Sequence, residues 1–178
     1  LSICTPNYLH KKNIIFGLKN DLNVICEKPL VLKYQDIVNI KRYQDKTNRK
    51  VSTILQLRLL PEMKKLKHTI NKTIKKKVKL TYISSRGDWF FKSWKGNNRL
   101  SGGIATNIGI HFFDLLIWLF GKVNKIQVKK FDPYSVSGSL SLEKAKVDWF
   151  VSVNSLDLPY TYRKNNINTY RSLKLDNK

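Results

Sequence analysis

Asn107, His111 and Asp114 stand at i, i+4 and i+7 of an otherwise apolar stretch from Ile104 to Phe120. On an α-helix that spacing puts all three on one stripe. A buried helix rarely carries three polar side chains in register without partners for them. In the plain reading His111 is a hydrogen-bonded core histidine, with Asp114 holding its tautomer. The chemical reading uses the same arrangement: an imidazole oriented by a carboxylate is a general base. Lys28 is the second candidate. It follows the apolar run Val24-Ile25-Cys26 and directly precedes Pro29. A lone lysine there is ordinarily a surface group, but a cis Lys-Pro bond would fix its direction. The third is the segment SRGDWFFKSWKG, with Arg86, Lys92 and Lys95 among Trp89, Phe90, Phe91 and Trp94, and Arg99 just beyond. Arginine clamps carboxylate or phosphate, and rings stack on a base or sugar. Equally, those rings would simply pack.

The surrounding pattern says what holds these groups. LSIC reads as a short strand, Thr5-Pro6-Asn7 as a turn with Asn7 able to cap, and Tyr8 to Asn20 as a helix. Asn23 to Cys26 is a second strand closed by Glu27-Lys28-Pro29, and residues 33 to 46 form a second helix. Strand–helix–strand–helix with short links implies a doubly wound parallel sheet. Ligands bind there at the carboxyl ends of the strands, where both loops lie. After residue 49 the pattern changes. Val51 to Leu59 reads as a strand, and Pro61 opens a helix with Met63, Leu66, Ile70 and Ile74 on one face. Its other face, with Lys64, Lys65, Lys67, Lys72, Lys75 and Lys76, reads as solvated. A half-buried strand at Val78 to Ser84, a loop over 85–101, the helix from Ile104 to Phe120 stopped by Gly121, and strands near 123–131, 143–154 and 169–175 complete the chain. The fold class is α/β: a doubly wound parallel part over 1–49, then an α+β part over 50–178 with a mostly antiparallel sheet.

Hydrophobic residues make up 42% of the 178, enough to build a core, and no apolar run is long enough to cross a bilayer. A cytoplasmic protein is the expectation, with no membrane partner and no metal site. Cys4 and Cys26 each sit in an apolar run and read as reduced core thiols. The 34 Lys+Arg against 12 Asp+Glu give a net charge of +22. A polyanion such as nucleic acid would suit that charge. The excess is spread along the sequence, mostly lysine, without aromatic interleaving, so drift in base composition is the simpler source and a nucleic-acid partner is not expected.

Taken in order, ICTPNYLH, VICEKPLVL and GGIATNIGIHFFDLLIWLFG resemble the Gfo/Idh/MocA oxidoreductases, over nearly the whole chain. The segments LQLRLLP, YISSRGDWFFKSWKG, LEKAKVDWFVSVNSLDLP and TYRSL look like the branch that oxidises UDP-N-acetylglucosaminuronate at C3 on the way to surface polysaccharides. The resemblance implies NAD as cofactor and a nucleotide sugar as substrate. It implies a catalytic pair, Lys28 beside the nicotinamide and His111 as acid/base. It places Thr5, Pro6, Asn7, His10, Glu27, Lys28 and Pro29 along the NAD cleft, and Arg86, Lys95, Asn107 and His111 on the sugar, with Gln56 and Arg58 as weaker candidates. It also implies a homo-oligomer formed through the antiparallel sheet.

The sequence departs from that family in one respect. A dinucleotide-binding half begins with a strand and a G-x-G-x-x-G turn, and these residues contain no such turn. The resemblance thus implies a partial Rossmann domain followed by an incomplete α+β domain, with reduced NAD affinity in this polypeptide. The alternatives are a non-catalytic oligomerisation module and a basic nucleic-acid binder.

Overall fold

The short apolar runs pair as their periodicity requires. Ser2–Ile3 (β1), Val24–Cys26 (β2) and Val51–Thr53 (β3) form a parallel sheet in the order β1-β2-β3. The computed structural model describes residues 1–70 and 74–176; Lys72, expected on a basic helix face, lies outside the described residues. The crossovers are His10–Lys19 (α1) and Tyr34–Thr47 (α2), which pack on each other. Consecutive right-handed crossovers put both helices on one face of the sheet. Ile3, Ile14, Leu18, Val24, Cys26 and Ile40 form the core beneath them.

Two compact units result: Leu1–Leu55 with Phe91–Ile110, and Gln56–Phe90 with His111–Lys178. The parallel sheet therefore extends past residue 49 by one strand, because Val51 pairs with Val24. The run expected as a strand to Leu59 stops at Thr53 and becomes a 3-10 turn over Gln56–Leu59.

In the second unit Lys76–Ser84 (β4), Val123–Phe131 (β5), Ser135–Leu142 (β6), Ala145–Ser152 (β7) and Thr169–Leu175 (β8) make a mixed sheet in the order β5-β6-β7-β4-β8. Only β4 and β7 run parallel; the other three pairings are antiparallel. Strand β6, SVSGSLSL, is not among the expected strands, although its valine and leucines alternate onto the buried face. Pro61–Thr69 (α3) ends before Ile70, and Ile74 is exposed rather than on a helix stripe. Lys67 of α3 is not merely solvated: its ammonium donates to the carbonyl of Trp118 and lies 5.3 Å from the Trp118 ring centroid. A cation there satisfies the carbonyls a helix end leaves open.

The segment expected as a loop over 85–101 is coiled into Asp88–Lys92 (α4), a 3-10 turn at Trp94–Gly96 and Asn98–Ser101 (α5). The helix expected from Ile104 to Phe120 is two helices, Gly103–Asn107 (α6) and Ile110–Phe120 (α7). The main-chain N–H groups of Ile108 and Gly109 both donate to the Ile104 carbonyl, so the hydrogen-bond ladder slips by one residue there. The Phe112 and Phe113 rings of α7 lie 4.6 Å from the Tyr82 ring and 5.1 Å from the Trp149 ring, which seats the helix on one face of the mixed sheet.

Cys26 is buried as expected, and burial, then the neighbouring Glu27 and Cys4, push its thiol up to about 12. Cys4 is exposed, against expectation, because the strand ends at Ile3 and the chain turns outward there. Among the described residues no single helix is long and apolar enough to cross a membrane.

Candidate active site

The loops that leave β1 and β2 lie at the carboxyl ends of parallel strands, and both are tied down by side chains. After β1, Asn7 is buried and does not cap the following helix. Its amide nitrogen donates instead to the Ser101 carbonyl at 2.8 Å and to Asn107 Oδ1 at 3.3 Å. The Pro6 carbonyl accepts from the Leu9 N–H, and Thr5 Oγ1 accepts from Asn13 Nδ2 at 3.1 Å. After β2, Lys28 Nζ donates to the main-chain carbonyl of Asn107 at 2.7 Å, and its main-chain N–H faces Glu27 Oε2 at 3.3 Å. The Lys28–Pro29 peptide is cis. His10 is fully buried, with Nδ1 2.7 Å from the Pro29 carbonyl oxygen and Nε2 2.8 Å from that of Thr5.

The first unit thus gathers Thr5, Pro6, Asn7, His10, Glu27, Lys28, Pro29 and Asn107. Gly102 makes this arrangement possible. Its φ is +82°, and a Cβ there would stand 2.8 Å from the Thr106 side chain and 2.9 Å from Leu32 Cδ2. Ser101 fixes the same turn by accepting the Gly103 N–H on its hydroxyl at 3.0 Å. Lys95, also in this unit, lies 5.9 Å from the Trp94 ring centroid.

In the second unit His111 is half-buried in the first turn of α7. The break after Asn107 removes the continuous stripe that joins it to Asn107 in the sequence reading. Asp114 is engaged by Arg58, which donates through Nε at 2.6 Å and through a second guanidinium nitrogen to the other carboxylate oxygen. That hydrogen bonding raises the Arg58 pKa further. The Arg58 partner of Asp114 lies 56 residues away in sequence, beyond the reach of local spacing. Arg86 stacks its guanidinium 6.0 Å from the Trp89 ring centroid, and its shielded Nε has no acceptor among the described residues.

The Arg58–Asp114 pair carries a stability prediction. Asp114 is 11% exposed and Arg58 40%. Removing one partner from a buried pair strands the other charge. Arg58→Met is expected to cost about 2–4 kcal/mol in urea unfolding, less than for a fully buried pair because Arg58 reaches solvent.

Known proteins match the chain in two blocks. Residues 1–55 match the model described as "Oxidoreductase family, NAD-binding Rossmann fold", and residues 66–140 match "Oxidoreductase family, C-terminal alpha/beta domain". The WlbA (WbpB) dehydrogenase from Thermus thermophilus, solved in complex with NAD and alpha-ketoglutarate, is 44% identical with a TM-score of 0.96, covering 99% of this chain and 58% of its own. The same enzyme solved with NAD and UDP-GlcNAcA superposes with a TM-score of 0.95. A putative oxidoreductase, YteT, from Bacillus subtilis is 30% identical over 118 residues, 64% of this chain and 28% of that protein. The chain therefore spans little more than half the length of the solved relative and under a third of the curated one.

Proposed function

Because the chain belongs to the Gfo/Idh/MocA oxidoreductase family, we propose that it serves the NAD-dependent oxidation of the C3 hydroxyl of a UDP-N-acetyl-hexuronic acid, in building sugars for surface polysaccharides. The observation that carries this reading is the placement of Lys28. Its ammonium sits at the carboxyl end of a parallel strand, on the carbonyl of Asn107, in a chain 44% identical to a dehydrogenase solved with NAD and UDP-GlcNAcA.

The residues fit one end of NAD. The loops Thr5-Pro6-Asn7 and Glu27-Lys28-Pro29 stand where cofactors lie in parallel sheets, and His10 ties them together. The turn that would hold the diphosphate is not among these 178 residues. Bound NAD supplies the acceptor for the C3 hydride. His111 takes the C3 hydroxyl proton on a ring nitrogen, a task suited to a neutral imidazole. The Lys28 ammonium favours the developing alkoxide. Asn107, whose Oδ1 accepts from Asn7, hydrogen-bonds the sugar through its amide nitrogen. Arg86 and Lys95 pair with the carboxylate or diphosphate.

Formation of NADH on adding UDP-N-acetylglucosaminuronate tests the reading, in this chain preceded by a βαβ segment bearing G-x-G-x-x-G. Steady production supports it; none, in a folded protein that binds NAD, removes it.

Self-association through the mixed sheet belongs to the same proposal. The nine residues of β5 are all exposed, and the sheet face away from α7 is polar. That face gathers Lys77, Lys79, Lys125, Lys129, Lys146 and Lys174, with Asp148 the acid beside them. Lysines scattered in the sequence are thus concentrated by the fold. Pairing two such faces opposes like charges, so the dimer fraction should rise with salt as the screening length falls from about 10 Å at 0.1 M to about 3 Å at 1 M. Sedimentation velocity at both salt concentrations checks this; a monomer at each would count against it.

A further inference from the structure

His10 is wholly buried, yet both of its ring nitrogens face main-chain carbonyl oxygens, Pro29 at 2.7 Å and Thr5 at 2.8 Å. A carbonyl oxygen only accepts. A neutral imidazole has one N–H and one lone pair, so either tautomer would set a lone pair against a carbonyl oxygen. The N–H of either tautomer therefore holds one of the two carbonyls, and the ring stands against the other.

The two carbonyls belong to the two loops of the candidate site. Thr5 begins the turn that carries Asn7, and Pro29 follows Lys28. Asn7 and Lys28 then converge on Asn107, one on its side chain and one on its main chain. The ring is therefore a strut between loops that leave neighbouring parallel strands. Full burial makes it a support for those loops rather than a surface for a ligand.

We infer that His10 is a positioning residue: its buried ring stands between the Thr5 and Pro29 carbonyls and so sets the position of the Lys28 ammonium. The value of that position for sugar oxidation rests on the dehydrogenase reading. The geometry of the ring does not.

The test uses the 178-residue chain with histidine labelled by 15N, and a long-range 15N–1H spectrum at neutral pH. The chain has three histidines, His10, His68 and His111. His68→Asn and His111→Asn assign the remaining ring, so the test does not depend on a His10 variant folding. The expected result is a slowly exchanging ring proton on His10, as full burial between two carbonyls requires. A His10 ring proton that exchanges as fast as that of the exposed His68 overturns the inference. A second readout addresses Lys28 directly. After reductive 13C-methylation, His10→Phe should shift the Lys28 methyl resonance while resonances of distant lysines such as Lys146 stay in place. An unmoved Lys28 signal in a folded variant overturns the positioning role. Neither measurement needs NAD or sugar, so failure here and failure of the proposed function are told apart.

Discussion

NAD titrated into the 178-residue chain is expected to give no binding heat, and the same chain preceded by a βαβ segment bearing G-x-G-x-x-G is expected to bind it. The physical reason lies in the diphosphate. Its charge is held by main-chain N–H groups at a helix N-terminus, approached closely only where glycine leaves room. The loops present here offer Asn7, Glu27 and Lys28; the Asn7 amide nitrogen is held by Ser101 and Asn107, and the Lys28 ammonium by Asn107. Lys28 is one cation, already held on a carbonyl, and does not replace a cradle of N–H groups. Binding heat from the chain by itself, abolished by Lys28→Ala, would show that the remaining loops suffice.

In the extended protein, His111→Ala is expected to slow sugar oxidation about 10²–10⁴-fold, the usual contribution of a positioned general base. The loss should fall on kcat, with a small change in KM, because proton transfer matters in the transition state and little in binding. Lys28→Ala should lower kcat as well, through the lost stabilisation of the alkoxide. Asp114→Asn separates catalysis from support. Asp114 is bound by Arg58, so this variant should act chiefly on stability. A loss in kcat as large as that of His111→Ala, in a folded Asp114→Asn protein, would restore the carboxylate as the orienting partner of the imidazole.

Much of the fold is legible in the sequence, for identifiable reasons. The runs Val24–Cys26 and Thr169–Leu175 are bounded by turn residues and form strands where expected. Lys28 and the Thr5 turn stand out because strand ends in a parallel sheet are where ligands lie. The break at Ile108-Gly109 is hidden because the flanking residues continue the apolar pattern of a helix. Arg58 carries little weight in the sequence because no local rule connects it to a carboxylate 56 residues later. The role inferred for His10 has no sequence signature at all: its acceptors are main-chain carbonyls, which every residue carries.

Hydride transfer from a single carbon is the core of the account. Supply the extended protein with NAD and UDP-N-acetylglucosaminuronate deuterated at C3, then locate the label. The account predicts deuterium in the NADH formed and a ketone at C3 of the sugar. NADH that carries no deuterium, with the label still on C3, would contradict it.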